Sequence, residues 1–168
     1  MTNRMTTLSL LVTAIRIILG SILFFAGIAK LTNFSAFVTT VAGYQVLPTA
    51  LVKSISYLLV SAEVALGIAL SIGYFSRGAG ILASLLFLIF SVALANVLWK
   101  ELPVTDCGCD NFLFTFLDFL GLSVSTTPNW TIVFADAILG VASFGIACSP
   151  ERGYSLESFI QQTQRYET

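Results

Sequence analysis

The chain has 168 residues; 57 % are apolar, 10 % are charged, the formal net charge is −1 and there is no histidine. A soluble domain carries roughly 25 % charged residues, so these proportions exclude a surface wetted on all sides, and a charge near zero excludes the basic face that nucleic acid requires. Without histidine the commonest metal ligand and general base are absent, which leaves Cys, Asp, Glu, Arg, Lys, Tyr or a bound cofactor to carry any chemistry.

A membrane-spanning helix needs about 20 mostly apolar residues. Four stretches reach that length, near residues 8–29, 52–75, 79–99 and 130–148. The first, "LSLLVTAIRIILGSILFFAGIA", follows Arg4 and ends in small residues, as a signal peptide would. It is too long for a signal-peptide core and Arg16 interrupts it, so it reads as a span. Gly20 and Gly27 in this span, and Ala62, Ala65, Gly67 and Ala69 in the second, suit close packing of helices in lipid. Short links between the spans predict an all-α integral membrane protein: a four-transmembrane-helix bundle over residues 1–148, followed by a polar tail over 149–168.

Two connecting stretches are too apolar for ordinary loops. "NFSAFVTTVAGYQVLP" follows the first span, with Phe34, Phe37, Val38 and Val41 at helical spacing. "NFLFTFLDFLGL" precedes the fourth span and is too short to cross. Both are expected as short interfacial helices on one side of the membrane, with Tyr44 and Trp130 as anchors at headgroup level. They either plug that end of the bundle or offer a docking surface.

Orientation follows from Lys and Arg on the two sides. Arg4, Arg77, Arg152 and Arg165 fall on one side, and Lys30, Lys53 and Lys100 on the other. This balance favours both termini in the cytoplasm. The third link, with its acids, then lies outside.

Three charged residues fall well inside spans, away from their ends: Arg16, Glu63 and Asp136. Charges at that depth are costly and normally face the bundle interior with partners. Counting from the span ends puts Arg16 and Glu63 at similar depths, so an Arg16–Glu63 pair is expected, with Asp136 nearer the outer end. Such a pair either fixes helix register or forms a polar site for a proton or cofactor.

The link after the third span contains "PVTDCGCDNF". Cys107 and Cys109 can close a disulfide only in a small strained ring, and strain makes the bond more reducible. Gly108 supplies the backbone freedom for that turn. Asp106 and Asp110 oppose thiolate formation. Four readings remain open: a redox pair, inert thiols, a soft Cu(I) site, or a staple closing a very short loop. Zinc lacks its usual four ligands here, and no metal is expected. Cys148 should end the fourth span at the opposite face, roughly 30 Å away.

"RIILGSILFFAGIAKLTNFSAF", residues 16–37, resembles the opening helix of DoxX-like membrane proteins. "GYQVLP", then "SAEVALGIAL" in the second span, then "DCGC" after the third, narrow the resemblance to the MauE (methylamine utilisation) branch. The resemblance covers about residues 10–148. It implies a four-helix membrane protein associated with maturation of methylamine dehydrogenase, a periplasmic enzyme rich in disulfides, and with a thioredoxin-like protein. More broadly, it implies handling of disulfides or reducing equivalents at a bacterial inner membrane. The matching positions are Arg16, Lys30, Glu63, Cys107 and Cys109. One departure stands out: Asp110 and Asn111 follow Cys109, where the family commonly has Phe-Gly.

The leading expectation is a thiol–disulfide redox or disulfide-maturation component. It would exchange electrons through Cys107 and Cys109 with a thioredoxin-like or other extracytoplasmic protein. No cofactor is evident, although a quinone between the helices near Arg16 and Glu63 would accept electrons. Quinone-coupled thiol oxidases resemble four-helix bundles but carry a second cysteine pair, which this chain lacks. A relay or accessory component therefore fits better than an enzyme acting alone. The alternative is a non-catalytic integral subunit or scaffold among neighbouring membrane subunits. A transporter has less support, since no inverted repeat or pair of broken helices is evident.

Overall fold

This computed structural model describes residues 2–104 and 128–149. Among them all regular structure is helical: α1 (Thr2–Thr32), α2 (Phe34–Gly43), α3 (Thr49–Ile72), α4 (Ser76–Trp99) and α5 (Trp130–Cys148). Four helices are long and apolar enough to cross a membrane: Ser9–Thr32, Thr49–Ile72, Ser76–Trp99 and Trp130–Cys148. The expected four-span fold is therefore present. The second and third spans each begin three residues earlier than hydropathy suggested, because backbone signals set the helix ends. Pro48 is the N-cap of α3. Gly73, in the left-handed conformation (φ 75°), ends α3 by donating its N–H to the carbonyls of Ala69 and Leu70.

The spans form two antiparallel pairs, α1 with α3 and α4 with α5. Small residues set the register of each. In the first pair Gly67 lies so close to α1 that a Cβ there would sit 2.5 Å from the Phe24 amide nitrogen. Gly20 and Gly27 make similar approaches to α3. Of the small residues expected in this seam, Ala65 instead faces outward. In the second pair the Ser91 hydroxyl donates to the Val133 carbonyl oxygen at 3.1 Å, and Gly80 lies against Ser143 and Ala147. A core of Leu19, Leu23, Leu70, Ala83, Leu86 and Phe87 joins the two pairs. The outer faces are apolar and uncovered, as at Leu58, Val92 and Val141, which is the arrangement lipid requires.

The first connecting stretch is helical, as expected. As α2 it packs on the start of α3 through Phe37, Val41, Val52 and Val60, closing one end of the bundle. Trp130, about half exposed at the start of α5, suits an interfacial anchor. Tyr44 does not: it is buried, because the end of α2 turns in against α4, where Asn96 Nδ2 donates to the Tyr44 carbonyl at 3.3 Å. The second apolar stretch (111–122) and the tail beyond residue 149 lie outside the described residues.

Candidate functional site: a buried ion pair beneath the α2 end

Glu63 sits in the middle of α3, on the face that α1 covers. Its partner is Lys30, whose Nζ donates to Glu63 Oε1 in a buried salt bridge. Both residues are nearly inaccessible, at 3 % and 1 % exposure for Lys30 and Glu63. Gly27 makes this contact feasible: without a side chain, it lets the α1 backbone approach the Glu63 Cβ and Val64. The Lys30 ammonium also lies over two aromatic rings, 5.4 Å from the centroid of Phe37 on α2 and 4.8 Å from that of Phe90 on α4. Cation–π attraction strengthens when the cation is desolvated.

The expected Arg16–Glu63 pair is not formed. Arg16 lies about four turns before Lys30 on α1, roughly 21 Å along the axis. It is buried at the other end of the bundle, against the last turn of α3. A Cβ on Gly73 would lie 2.7 Å from the Arg16 guanidinium carbon. The C-terminal end of a helix carries partial negative charge, so this is a favourable seat for a buried cation. Counting depth from the ends of apolar runs failed because the two helices are staggered rather than aligned end to end: Gly20 meets Ser71 and Gly27 meets Glu63 and Val64, which sets Arg16 beside Gly73. The true register follows from which glycines meet which backbone.

Asp136 lies within electrostatic range of the Lys30–Glu63 pair. It lies on α5 between Val133 and Gly140, which meet Ser91 and Phe87 of α4. Phe90, one of the rings under Lys30, belongs to that same stretch of α4. Asp136 Oδ2 and Glu63 Oε2 are both buried with no hydrogen-bond partner. So are the hydroxyls of Ser56 and Ser143, about two turns from Glu63 and Asp136 respectively. The result is a polar cluster at the junction of the two helix pairs, with one cation and two carboxylates.

The cluster lies toward the α2 end of the bundle, where the described part of the chain after α4 breaks off and resumes at α5. Val104 packs near Gly43, at the end of α2, and α5 restarts beside Leu94 of α4. Residue 104 and the start of α5, which flank the link carrying Cys107 and Cys109 in sequence, thus both lie at the α2 end of the bundle. The two cysteines themselves lie outside the described residues. Cys148 is exposed at the far end of α5. No group of three or more His, Cys, Asp or Glu with metal-binding geometry occurs among the described residues.

Arg16 lies beside Gly73 and Glu63 beside Lys30, so the two residues are separated along the α1–α3 seam. A groove of about 670 Å³ opens elsewhere, along the outer face of α4. Leu85, Leu88, Ile89 and Val92 make its apolar floor, and Gln45, Asn96 and Lys100 its polar end. The residue that sequence reasoning undervalued is Lys30. It closes an apolar run, and was counted as a loop charge. The signal for burial was available: aromatic Phe34 and Phe37 follow immediately, and a glycine precedes it by three.

No curated protein and no solved structure matches the chain. A protein-family model does match, that of the methylamine utilisation protein MauE, over residues 8–148. That range spans all four membrane helices, both partners of the buried ion pair, Asp136 and the Cys-Gly-Cys segment, and the chain belongs to the MauE family.

Proposed function

We propose that this MauE-family membrane protein is a thiol–disulfide relay, using Cys107 and Cys109 to exchange electrons with an extracytoplasmic thiol protein of thioredoxin type. The observation that carries the reading is the Cys-Gly-Cys sequence in the link from α4 to α5, whose flanking residues Val104 and Trp130 lie toward the α2 end of the bundle. Family membership in methylamine utilisation supports it. In the exchange a partner thiolate attacks the Cys107–Cys109 disulfide and forms a mixed disulfide. The partner's second thiolate then displaces the remaining sulfur. Two electrons pass to the pair, the partner leaves oxidised, and Cys107 and Cys109 end as thiols after taking up two protons. The reverse sequence delivers the electrons to a second disulfide-bearing protein, so no further cysteine pair in this chain is needed.

The reading places both termini in the cytoplasm of a bacterial inner membrane. Burial of Lys30 supports that orientation, because an interior lysine no longer counts as a loop charge. Lys53 and Lys100 then remain against Arg4, Arg77, Arg152 and Arg165.

Alkylation with a thiol-reactive mass tag, before and after reduction of native membranes, tests the proposal. The expected result is two tags gained on reduction, and none gained in the Cys107→Ser/Cys109→Ser variant. Identical tagging of the native chain before and after reduction would sink the relay. If the double variant retains full function while changes in residues 111–122 dissociate a co-purifying complex, the protein is instead an integral subunit.

A further inference from the structure

The charges of the buried cluster do not balance. Among the described residues, the ionisable groups that lie within electrostatic range of one another at the junction are Lys30 from α1 and Glu63 from α3, which are in contact, and Asp136 from α5. What α2 and α4 bring to Lys30 is aromatic: the rings of Phe37 and Phe90. Fully ionised, the cluster holds one positive and two negative charges. A net charge in an apolar interior is costly unless it is paired.

The hydrogen bonds point to the same deficit. Lys30 serves Glu63 Oε1, while Glu63 Oε2 and Asp136 Oδ2 are buried with nothing donating to them. Glu63 is 1 % exposed, so bulk water does not reach its second oxygen. A buried carboxylate oxygen without a donor is among the most unfavourable arrangements in a protein. One added proton removes both faults. It cancels the surplus charge, and it turns one acceptor oxygen into an O–H donor for a neighbouring acceptor.

We propose that Lys30, Glu63 and Asp136 form a buried site that holds one exchangeable proton, carried on Asp136 while Glu63 remains the ionised partner of Lys30. The assignment follows from contact: Glu63 has the ammonium directly on its oxygen, and Asp136 feels it only at longer range. The proton exchanges with the α2 end. Asp136 is less than two turns from the start of α5, roughly 9 Å from it along the axis, and Lys30 is in the last turn of α1. The inference does not rest on the cysteine chemistry.

Charge counting makes the test quantitative. The full-length protein in lipid nanodiscs is examined at neutral pH by infrared spectroscopy, reading the protonated-carboxyl stretch. Solvent-facing carboxyls are ionised there and stay silent. The native chain should show one such band, shifting when H2O is replaced by D2O. Asp136→Asn leaves Lys30 and Glu63 balanced, and the band should vanish. Glu63→Gln should also abolish it, although Asp136 is intact, because Lys30 then pairs with an ionised Asp136. Lys30→Met should double it, since both carboxyls must then be neutral. Circular dichroism confirms helix content in each variant, and the three changes alter charge in different directions, so a general folding defect cannot mimic the pattern. Absence of the band from the native chain, its survival in Asp136→Asn, or an unchanged band in Lys30→Met would each overturn the proposal. So would a band insensitive to D2O, because it would show a proton trapped rather than exchanged.

Discussion

α1 buries two cations, and the molecule accommodates them differently. Lys30 meets a carboxylate and two aromatic rings at the α2 end. Arg16 lies against the last turn of α3, at Gly73. A compact ammonium can be matched by one ionised side chain. A planar guanidinium with five donors suits the exposed carbonyls and partial negative charge of a helix C-terminus. The comparison teaches that two cations on one helix can be seated against different surroundings, a carboxylate with two rings at one end and the last turn of a neighbouring helix at the other. Helix ends can serve, provided a glycine admits the side chain.

The Lys30 end should be the more fragile. Replacing Lys30 with Met leaves Glu63 without its partner, and breaking a buried pair costs about 3–5 kcal/mol. Denaturation in mixed micelles measures this, and Lys30→Met with Glu63→Leu should recover most of the loss. If the single and double variants are equally unstable, packing around Lys30 matters more than its charge.

The register that separates the two cations depends on Gly67. A leucine there collides with the Phe24 backbone and should destabilise the α1–α3 pair by about 1–3 kcal/mol. Disulfide trapping between cysteines introduced on α1 and α3 would report a changed register. An unchanged pattern with unchanged stability would mean that the seam tolerates side chains at this position.

Gly73→Ala tests the Arg16 end. The left-handed backbone and the adjacent guanidinium both oppose a Cβ, and the expected cost is about 1–2 kcal/mol. Thermal unfolding in detergent should show it, with the Lys30–Glu63 pair intact. The smallest effect belongs to the second helix pair. Ser91→Ala removes one interhelical hydrogen bond to Val133, worth about 0.6 kcal/mol in membrane proteins. A loss as large as that of Lys30→Met would contradict the view that α4 and α5 are held mainly by apolar packing.

The four spans and the helical nature of the first connecting stretch were legible in the sequence. Long uninterrupted apolar runs have only one way to satisfy their backbone in lipid. The interior position of Glu63 was legible for a related reason, since a carboxylate at that depth cannot face acyl chains. The partner of Glu63 was not legible. Lys30 was within reach of the same reasoning, yet it ended an apolar run and so resembled a loop charge. Tyr44 likewise looked like a headgroup anchor until the end of α2 proved to turn inward.

Composition and hydropathy by themselves determined that this chain is a four-span membrane protein with a few interior charges, because the cost of exposing polar groups to lipid acts on every residue separately. Tertiary structure alone decided which charges meet. That choice depends on the relative sliding of α1 against α3, which a hydropathy profile does not contain. It is set where Gly20, Gly27 and Gly67 let two backbones touch. A slide of one helical turn, about 5.4 Å, would leave the spans equally apolar and separate Lys30 from Glu63.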